Sequence, residues 1–271
     1  HTVSDFEKSY GVSYQISFSE QKAYTDTIAV DLGNEPFRNP DESLLFRPAG
    51  HGALIANLND INADIVFIKN IDNIVPDRLK STTFKYKKII GSYLAKTQEE
   101  DFEFLDLLEE GNPEPEEINE MFDYLENQLF IEIPAYIKVM DKMEQVDWLF
   151  EQFNRPIRVC GMVKNEGEPG GGPFVVENDE GIKSLQIVES SQIDFSQEDQ
   201  TEIVKNATHF NPVDLVCTLK DFRGEKFDLK DFVDAETGFI SEKSKNGKTL
   251  KAQELPGLWN GAMAHWITLF M

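Results

Sequence analysis

The stretch "ADIVFIKNIDN" (Ala63–Asn73) decides the fold class of this chain. Its four consecutive apolar residues, Ile65 to Ile68, are typical of a buried strand, and the chain turns polar immediately afterwards at Lys69. The lone carboxylate of Asp72 then stands among asparagines. Such a strand either closes in an ordinary turn or delivers Asp72 to a ligand at the carboxyl edge of a sheet.

The segment before this strand is rich in glycine and proline. "FRPAGHGALIANLND" (Phe46–Asp60) predicts a loop that leads into a short helix. Further upstream, "DTIAVD" (Asp26–Asp31) is a strand candidate, and "VSYQISF" (Val12–Phe18) alternates apolar and polar residues as a half-buried strand does. Strand, glycine-rich loop, helix and buried strand in this order predict an α/β domain with a largely parallel sheet.

Residues 77–153 carry helical periodicity. One apolar stripe starts at Tyr86 and ends at Leu94, and a second runs from Ile118 to Leu129. Between them, residues 99–117 hold ten acidic residues, and Pro115 suits the first turn of the second helix. We interpret 95–153 as an acidic helical insertion, after which strands return at "IRVCGMV", "PFVVEN", "SLQIVES" and "DLVCTL", followed by a polar turn at "KSKNGK".

The composition excludes some classes of partner. The 271 residues carry a formal net charge of −23, which argues against nucleic acid and anionic membranes as partners, because both require a basic face. It does not argue against a single nucleotide in a local pocket. Cys160 and Cys217 lie in apolar runs and are predicted to be buried thiols. No apolar run approaches the roughly 20 residues of a membrane span and no signal peptide is visible, so we expect a cytoplasmic protein.

Three segments contain residues that could bind a phosphate, a ligand or a metal ion. "RPAGHGAL" places Gly50 and Gly52 around His51 before a helix, which suits either a tight turn or a phosphate. The glycines from Gly170 to Gly172 form either a linker or a point of close approach. Asp72 fits magnesium, which takes one or two carboxylates and completes its shell with phosphate oxygens and water. No cysteine and histidine spacing supports zinc.

The order of the motifs is more specific than any single motif. It runs "PAGHGALIANL", "IKNIDNIVPD", "VKNEGEPGGGPFVV", "LQIVESSQI", "HFNPVDLVC", "SEKSKNGK" and "AQELPGLWNGAMAHW". This series resembles the nucleotide-sugar pyrophosphorylases, in particular the UTP–glucose-1-phosphate uridylyltransferases. It is still more similar to a bacterial domain family of unknown function that shares "RPxGHGALIxNLND", "IKNIDNxVPD", "RVCGMVKNEGEPGGGPF" and "LPGLWNGAM".

That resemblance implies a fold, an activity and a set of site residues. The fold would be a glycosyltransferase-A-type, Rossmann-like nucleotidyltransferase domain with a mixed sheet. The reaction would join a sugar 1-phosphate to a nucleoside triphosphate with Mg²⁺, so that nucleotides, nucleotide-sugars and sugar phosphates are the implied partners. The implied residues are Asp72 for the metal, Gln21, Gly50, His51, Gly52 and Asn73 for the nucleotide, Gly171, Gly172, Glu189 and Asn211 for the sugar, and Lys243 and Lys164 for catalysis.

One departure from the pattern limits this expectation. The pyrophosphorylases begin with an L-x-G-G-x-G-T-R loop that holds the triphosphate, and nothing like it occurs in these 271 residues. We therefore expect residues 1–271 to be one domain and a fragment of a longer chain. This fragment would lack the first βα unit of the fold and would be inactive alone. The alternatives are a non-catalytic nucleotide- or sugar-binding module of the same fold, and a glycosyltransferase.

Overall fold

The computed structural model describes residues 2–168 and 170–271, and in these ranges it contains six α-helices and twelve β-strands. The helices are α1 (Thr2–Tyr10), α2 (Ile55–Leu58), α3 (Lys80–Glu109), α4 (Pro115–Asn127), α5 (Lys142–Phe153) and α6 (Glu198–Asn206). The strands are β1 (Thr27–Val30), β2 (Phe46–Arg47), β3 (Ile65–Lys69), β4 (Ile157–Cys160), β5 (Val163–Lys164), β6 (Gly172–Glu177), β7 (Lys183–Val188), β8 (His209–Phe210), β9 (Asp214–Thr218), β10 (Phe239–Lys245), β11 (Lys248–Glu254) and β12 (Ile267–Phe270).

A four-stranded sheet with the order β12-β4-β9-β3 forms the centre of the fold. Strands β12 and β4 are parallel, whereas β9 is antiparallel to both β4 and β3. The strands β3, β4 and β12 therefore run in the same direction, and their carboxyl ends meet at one edge. A second sheet, β10-β11-β1-β2, is antiparallel throughout, as are the pairs β6–β7 and β5–β8.

This architecture confirms a mixed α/β fold with a mixed sheet. The prediction of a largely parallel sheet is wrong, since β12–β4 is the one parallel pairing among the described strands. The individual strands expected at "DTIAVD", "IRVCGMV", "PFVVEN", "SLQIVES" and "DLVCTL" are confirmed. The polar turn at "KSKNGK" joins β10 to β11, and Asn246 and Gly247 take the positive φ values that such a two-residue turn requires.

The helices cover one face of the central sheet. Helices α3, α4 and α5 pack on β4 through a core that includes Leu94, Leu149 and Val159. The stripe from Ile118 to Leu129 is fully buried, and α4 begins at Pro115 as predicted. Helix α3 begins well before residue 95, so the predicted insertion starts inside a continuous helix. The opposite face carries a second core around α2 and Trp266.

Strand β3 corrects one prediction. The stretch Ile65–Lys69 was expected to be buried, but it is the edge strand of its sheet, with Ile65 38% and Phe67 48% exposed. Phe67 packs against α3 only where Gly91 leaves room, since a Cβ at Gly91 would lie 2.9 Å from the ring. The run of apolar residues therefore predicted the strand correctly, but the prediction that the strand is buried was wrong.

The segment Val12–Phe18 corrects a second prediction. Its alternation predicted a half-buried strand, yet it pairs with no strand among the described residues, and Phe18 is 96% exposed. Alternation shows only that one face of a strand is apolar. It does not show whether another element of the fold packs against that face and buries it.

The two cysteines are buried thiols, as predicted. Burial raises the pKa of Cys160 to about 11 and that of Cys217 to about 12, so both remain protonated at neutral pH. Within residues 2–168 and 170–271, no helix has the length and apolar character needed to cross a membrane.

The guanidinium of Arg158 is fully buried and ties four segments together. It donates to Thr268 Oγ1 on β12 (2.8 Å), to the carbonyl of Trp259 (2.6 Å) and to Gln186 Oε1 on β7 (2.9 Å). Gln186 in turn donates to the carbonyl of Ala264 at 2.8 Å. Burial lowers the pKa of Arg158 from its ordinary value because its partners are neutral oxygens rather than carboxylates.

Removing one partner of Arg158 is expected to destabilise the protein. Gln186→Leu leaves a guanidinium N–H without an acceptor and should lower the free energy of unfolding by about 1–3 kcal/mol, measured by urea unfolding. In the double variant with Arg158→Met both partners become apolar, so its loss should be smaller than the sum of the single losses. Strictly additive losses would contradict the coupling.

Candidate functional site

The loop 47–54 lies against the segment 254–258. The carbonyl of Ala49 accepts a hydrogen bond from the N–H of Leu255 at 2.9 Å. Gly50 has a φ of +79°, a conformation that favours glycine, and a Cβ there would lie 2.8 Å from Glu254 Oε2. A Cβ at Gly52 would lie 1.9 Å from the carbonyl oxygen of Pro256. Gly52 is therefore required by close packing against backbone, whereas Gly50 is favoured by its positive φ.

The ring of His51 is fixed on two sides. It stacks on the indole of Trp259 with ring centroids 4.4 Å apart and planes 9° from parallel. The N–H of Leu258 donates to His51 Nδ1 at 3.0 Å. Because Nδ1 accepts this bond, the neutral ring carries its proton on Nε2. His51 is thus arranged to offer one N–H donor in a fixed direction.

Trp259 joins His51 to Glu189. Its indole N–H donates to Glu189 Oε1 at 3.0 Å, so the ring that stacks on the predicted nucleotide loop also holds the predicted sugar-facing carboxylate. Glu189 further forms a capping box with Gln192. The sequence prediction did not include Trp259. The available signal was a tryptophan in the Gly- and Pro-rich segment "LPGLWNGAM".

Lys243 reaches the same loop from β10. Its Nζ lies 2.8 Å from Glu254 Oε1, and Glu254 is the carboxylate beside Gly50. The hydrogen bond from Lys243 lowers the pKa of Glu254, with smaller contributions from Ser241 and His51, although partial burial works in the opposite direction. Lys243 is therefore held in place, but a carboxylate neutralises its charge.

The glycines after residue 169 approach Glu189 from the other side. Pro169 in this motif lies outside the described residues. A Cβ at Gly171 would lie 2.6 Å from Ile187 and 3.3 Å from Glu189 Cγ, and one at Gly172 would lie 2.8 Å from the Phe174 ring. The alternative of a flexible linker does not fit this packing. The carbonyl of Gly171 accepts a hydrogen bond from the N–H of Asn211 at 2.8 Å.

Asn211 supports a strained turn. Its Nδ2 donates to the carbonyl of Gly161 at 2.5 Å, and its Oδ1 accepts from the N–H of Val213 at 2.9 Å. Val213 has a φ of +52°, a rare conformation for a β-branched residue. Asn73 Nδ2 donates to the carbonyl of Pro212 at 2.5 Å. The amides of Asn211 and Asn73 therefore hold this turn, which adjoins the end of β3.

Asp72 lies in the turn after β3 and is exposed. Two lysines that the sequence prediction did not include lie close by in the fold. Lys69 at the end of β3 and Lys87 on α3 each place Nζ 2.7 Å from a different oxygen of Asp214. Two ammonium groups thus share the carboxylate of Asp214, and with Asp72 the positive and negative charges at this end of the sheet are equal in number.

Two predicted residues lie apart from the others. Gln21 donates to Thr25 Oγ1 and Asp26 Oδ1 at 3.2 and 3.3 Å, in a turn before β1. Lys164 is exposed on β5 and pairs with His209 of β8. Among the described residues, no hydrogen bond or ion pair joins either side chain to the rest of the predicted site.

Ten residues, which we call the contact arc, follow one another through hydrogen bonds, packing contacts or adjacent positions in the chain. The arc consists of Asp72, Asn73, Asn211, Gly171, Glu189, Trp259, His51, Gly50, Glu254 and Lys243. The sequence intervals between its members are large, so the fold brings together motifs that are distant along the chain. The arc thus includes residues predicted for the metal, the nucleotide, the sugar and catalysis, of which Gly171 and Asn211 are buried.

The arc contains no complete metal centre of protein groups. Among the residues that the structure describes, no cluster of three or more His, Cys, Asp or Glu side chains is arranged to hold an ion. A single exposed carboxylate such as Asp72 nevertheless fits Mg²⁺, which takes most of its remaining ligands from phosphate and water. The donor set fits magnesium only together with a phosphate ligand.

Replacing Gly52 tests the packing of the loop. Gly52→Ala forces its Cβ against the Pro256 carbonyl, so we expect a loss of about 1–3 kcal/mol in the free energy of unfolding. Gly33→Ala is the matched control, because its Cβ would meet only a side-chain oxygen of Asp31, at 3.2 Å, and no backbone atom. The free energies of unfolding are measured with urea. Equal losses in the two variants would contradict the close packing of Gly52 against Pro256.

The ion pair of Glu254 predicts a pH dependence of stability. The folded pKa of Glu254 lies below its ordinary value of 4.5, so its contribution is complete above that pH and is lost as pH falls through the folded pKa. The stability difference between wild type and Glu254→Gln should therefore be constant above about pH 5.5 and shrink toward about pH 3. Glu242→Gln, an exposed neighbour on β10, should show no such trend. A difference that is independent of pH would refute the pairing.

Comparison with known proteins gives two results. No curated protein matches the chain. Among solved structures, three variants of the UDP-glucose pyrophosphorylase from Leishmania major, each in complex with UDP-glucose, match with TM-scores of 0.38, 0.40 and 0.42 and identities of 12%, 10% and 13%. The matches cover 90%, 99% and 99% of this chain but only 43%, 48% and 48% of those structures. The chain therefore spans less than half the length of these structures, and so weak a likeness says nothing about its substrate.

The family assignment is stronger, because it covers the whole chain. The family model described as "Domain of unknown function (DUF4301)" matches residues 1–271. It agrees with the resemblance that the shared motifs indicated. The chain belongs to the DUF4301 family.

Proposed function

We propose that this chain is a nucleotidyltransferase-like domain that binds a nucleotide or nucleotide-sugar along the contact arc. The observation that supports this proposal is the arc itself. Trp259 links the loop 47–54 to the strand end at Glu189, and the segment 211–212 links the turn after β3 to Gly171. If these motifs were only unrelated turns, we would not expect their residues to lie next to one another in the fold.

Each member of the arc suits one part of such a ligand. His51 offers its Nε2–H to a phosphate oxygen, while Lys243 adds charge once the ligand competes with Glu254. Glu189 accepts hydrogen bonds from sugar hydroxyl groups through the oxygen that the indole leaves free. Asn211 and Asn73 act as positioning residues, because their amides are used to hold the turn at 211–213.

The reaction that fits this arrangement is transfer of a nucleotidyl group. An oxygen of a sugar 1-phosphate attacks the α-phosphorus of a nucleoside triphosphate in line with the departing oxygen, and pyrophosphate leaves. Such a transfer requires positioning and neutralisation of charge rather than a covalent partner. Asp72 would hold Mg²⁺, which would neutralise phosphate charge when bound.

A second candidate is a binding module without turnover. The neutralisation of Lys243 by Glu254 favours it, since a catalytic lysine would have to leave a carboxylate 2.8 Å away before meeting a phosphate. Both candidates predict nucleotide binding, and only the transferase predicts release of pyrophosphate. A glycosyltransferase would instead move sugar from a nucleotide-sugar to an acceptor, without exchange of pyrophosphate.

Replacing Asp72 tests the nucleotide site. In calorimetry with UTP and Mg²⁺, Asp72→Asn should weaken binding about tenfold or more, and this difference should vanish in EDTA because the carboxylate acts through the metal. Asp77→Asn, an exposed aspartate five residues further along, is the matched control and should bind as wild type. The same titrations with UDP-glucose report whether the sugar side of the arc contributes.

Two outcomes would contradict the proposal. One is a wild-type protein that binds neither UTP nor UDP-glucose. The other is an equal effect of Asp72→Asn and Asp77→Asn, which would show a general charge effect. If nucleotide binds, a pyrophosphate-release assay with glucose 1-phosphate separates the transferase from the binding module.

A further inference from the structure

A cavity separate from the ligand-facing side of the arc lies between the β6–β7 hairpin, helix α6 and the turn 234–237. Its volume is about 400 Å³, within the range of sites that bind small organic molecules. Gln192 and Asn260 line its inner end, and Gln192 Oε1 accepts hydrogen bonds from Asn260 Nδ2 and the N–H of Glu189. The cavity therefore adjoins the arc without containing His51, Asp72 or Lys243.

The walls of the cavity are mainly apolar. They include Phe174, Val176, Ile187, Ile203, Val204 and Ala264. Helix α6 contributes two of these side chains although none of its residues is buried, and Ile203 is 57% exposed. The helix thus directs apolar side chains at a space that the chain leaves unfilled. A bound apolar group would remove this surface from water, at roughly 25 cal/mol per Å².

One acidic residue lines this apolar space. Asp234 is the sole ionisable residue that lines the cavity. Its Oδ1 accepts a hydrogen bond from the N–H of Glu236 at 3.0 Å, and no lysine, arginine or histidine of the described ranges forms an ion pair with it. Carboxylates set in apolar surroundings gain most from a cation that also buries apolar area. An anion would meet repulsion from Asp234 and from a chain of net charge −23.

We propose that this cavity is a binding site for a small organic ammonium ion. The apolar body of the ligand lies on the hairpin and α6, and its ammonium group donates to Asp234. The enclosed volume favours a small molecule over a peptide, and the sign of the one lining charge favours a cation over a phosphate or carboxylate. The inference is independent of nucleotide binding, because none of its residues is required for phosphate contact.

Three probes of similar shape and different charge test this site. Benzylamine, benzyl alcohol and benzoate are titrated into protein with labelled Ile and Val methyl groups, and the shifts of Val176, Ile187 and Ile203 are followed by NMR. We expect benzylamine to bind about tenfold or more tightly than benzoate, with benzyl alcohol between them. Asp234→Asn should reduce benzylamine to the affinity of benzyl alcohol. Asp231→Asn, which changes the net charge equally outside the cavity, should not.

A second variant tests the position of the apolar body. Ile203→Trp adds volume on the exposed side of α6, where it does not disturb the core, and should weaken benzylamine and benzyl alcohol alike. The proposal is overturned if benzylamine shifts none of these methyl groups at about 10 mM, far above an expected Kd near 1 mM. Equal affinity of benzylamine and benzoate, or unchanged binding in Ile203→Trp, overturns it as well.

Discussion

The buried guanidinium of Arg158 is the hydrogen-bonded centre that connects β4, β7, β12 and the segment around Trp259. It joins β4 to β12 through Thr268 and to β7 through Gln186, and it holds the backbone of Trp259. A buried charge is costly unless its N–H groups have acceptors. Displacing one of these segments would leave a buried N–H without an acceptor, so we expect the segments to be positioned cooperatively. The bond to its carbonyl holds the backbone of Trp259, and the stack on His51 and the bond to Glu189 position its indole.

The local parts of the structure could be predicted from the sequence. Proline at residue 115 starts α4, the "NG" pair turns β10 into β11, and short apolar runs form β4 and β9. The loop around His51 lies before a short helix, as its glycines predicted. These features depend on backbone preferences that each segment carries itself, so single segments are sufficient to reveal them.

Other features could not be predicted from single segments, because they depend on contacts with residues that are distant in the sequence. Val12–Phe18 has the alternation of a strand but no partner among the described residues, and Phe67 is exposed because β3 lies at an edge. Trp259 was missed because its role arises from contacts with residues more than 60 positions away. Lys69 and Lys87 were missed for the same reason, since Asp214 brings them together from a strand and a helix.

The charges in and beside the arc bear on how an acidic chain would recognise the anion that we propose as its ligand. Lys243 is held by Glu254, and Lys69 and Lys87 are held by Asp214, so lysine side chains are ordered before a ligand arrives. The same carboxylates remove most of the attractive field, and a net charge of −23 offers none over longer distances. A phosphate would therefore be selected by donors of fixed direction, such as the Nε2–H of His51, rather than by a general positive potential. If the proposed function holds, the geometry of these donors would decide which anion binds, because electrostatic attraction alone would be too weak to do so.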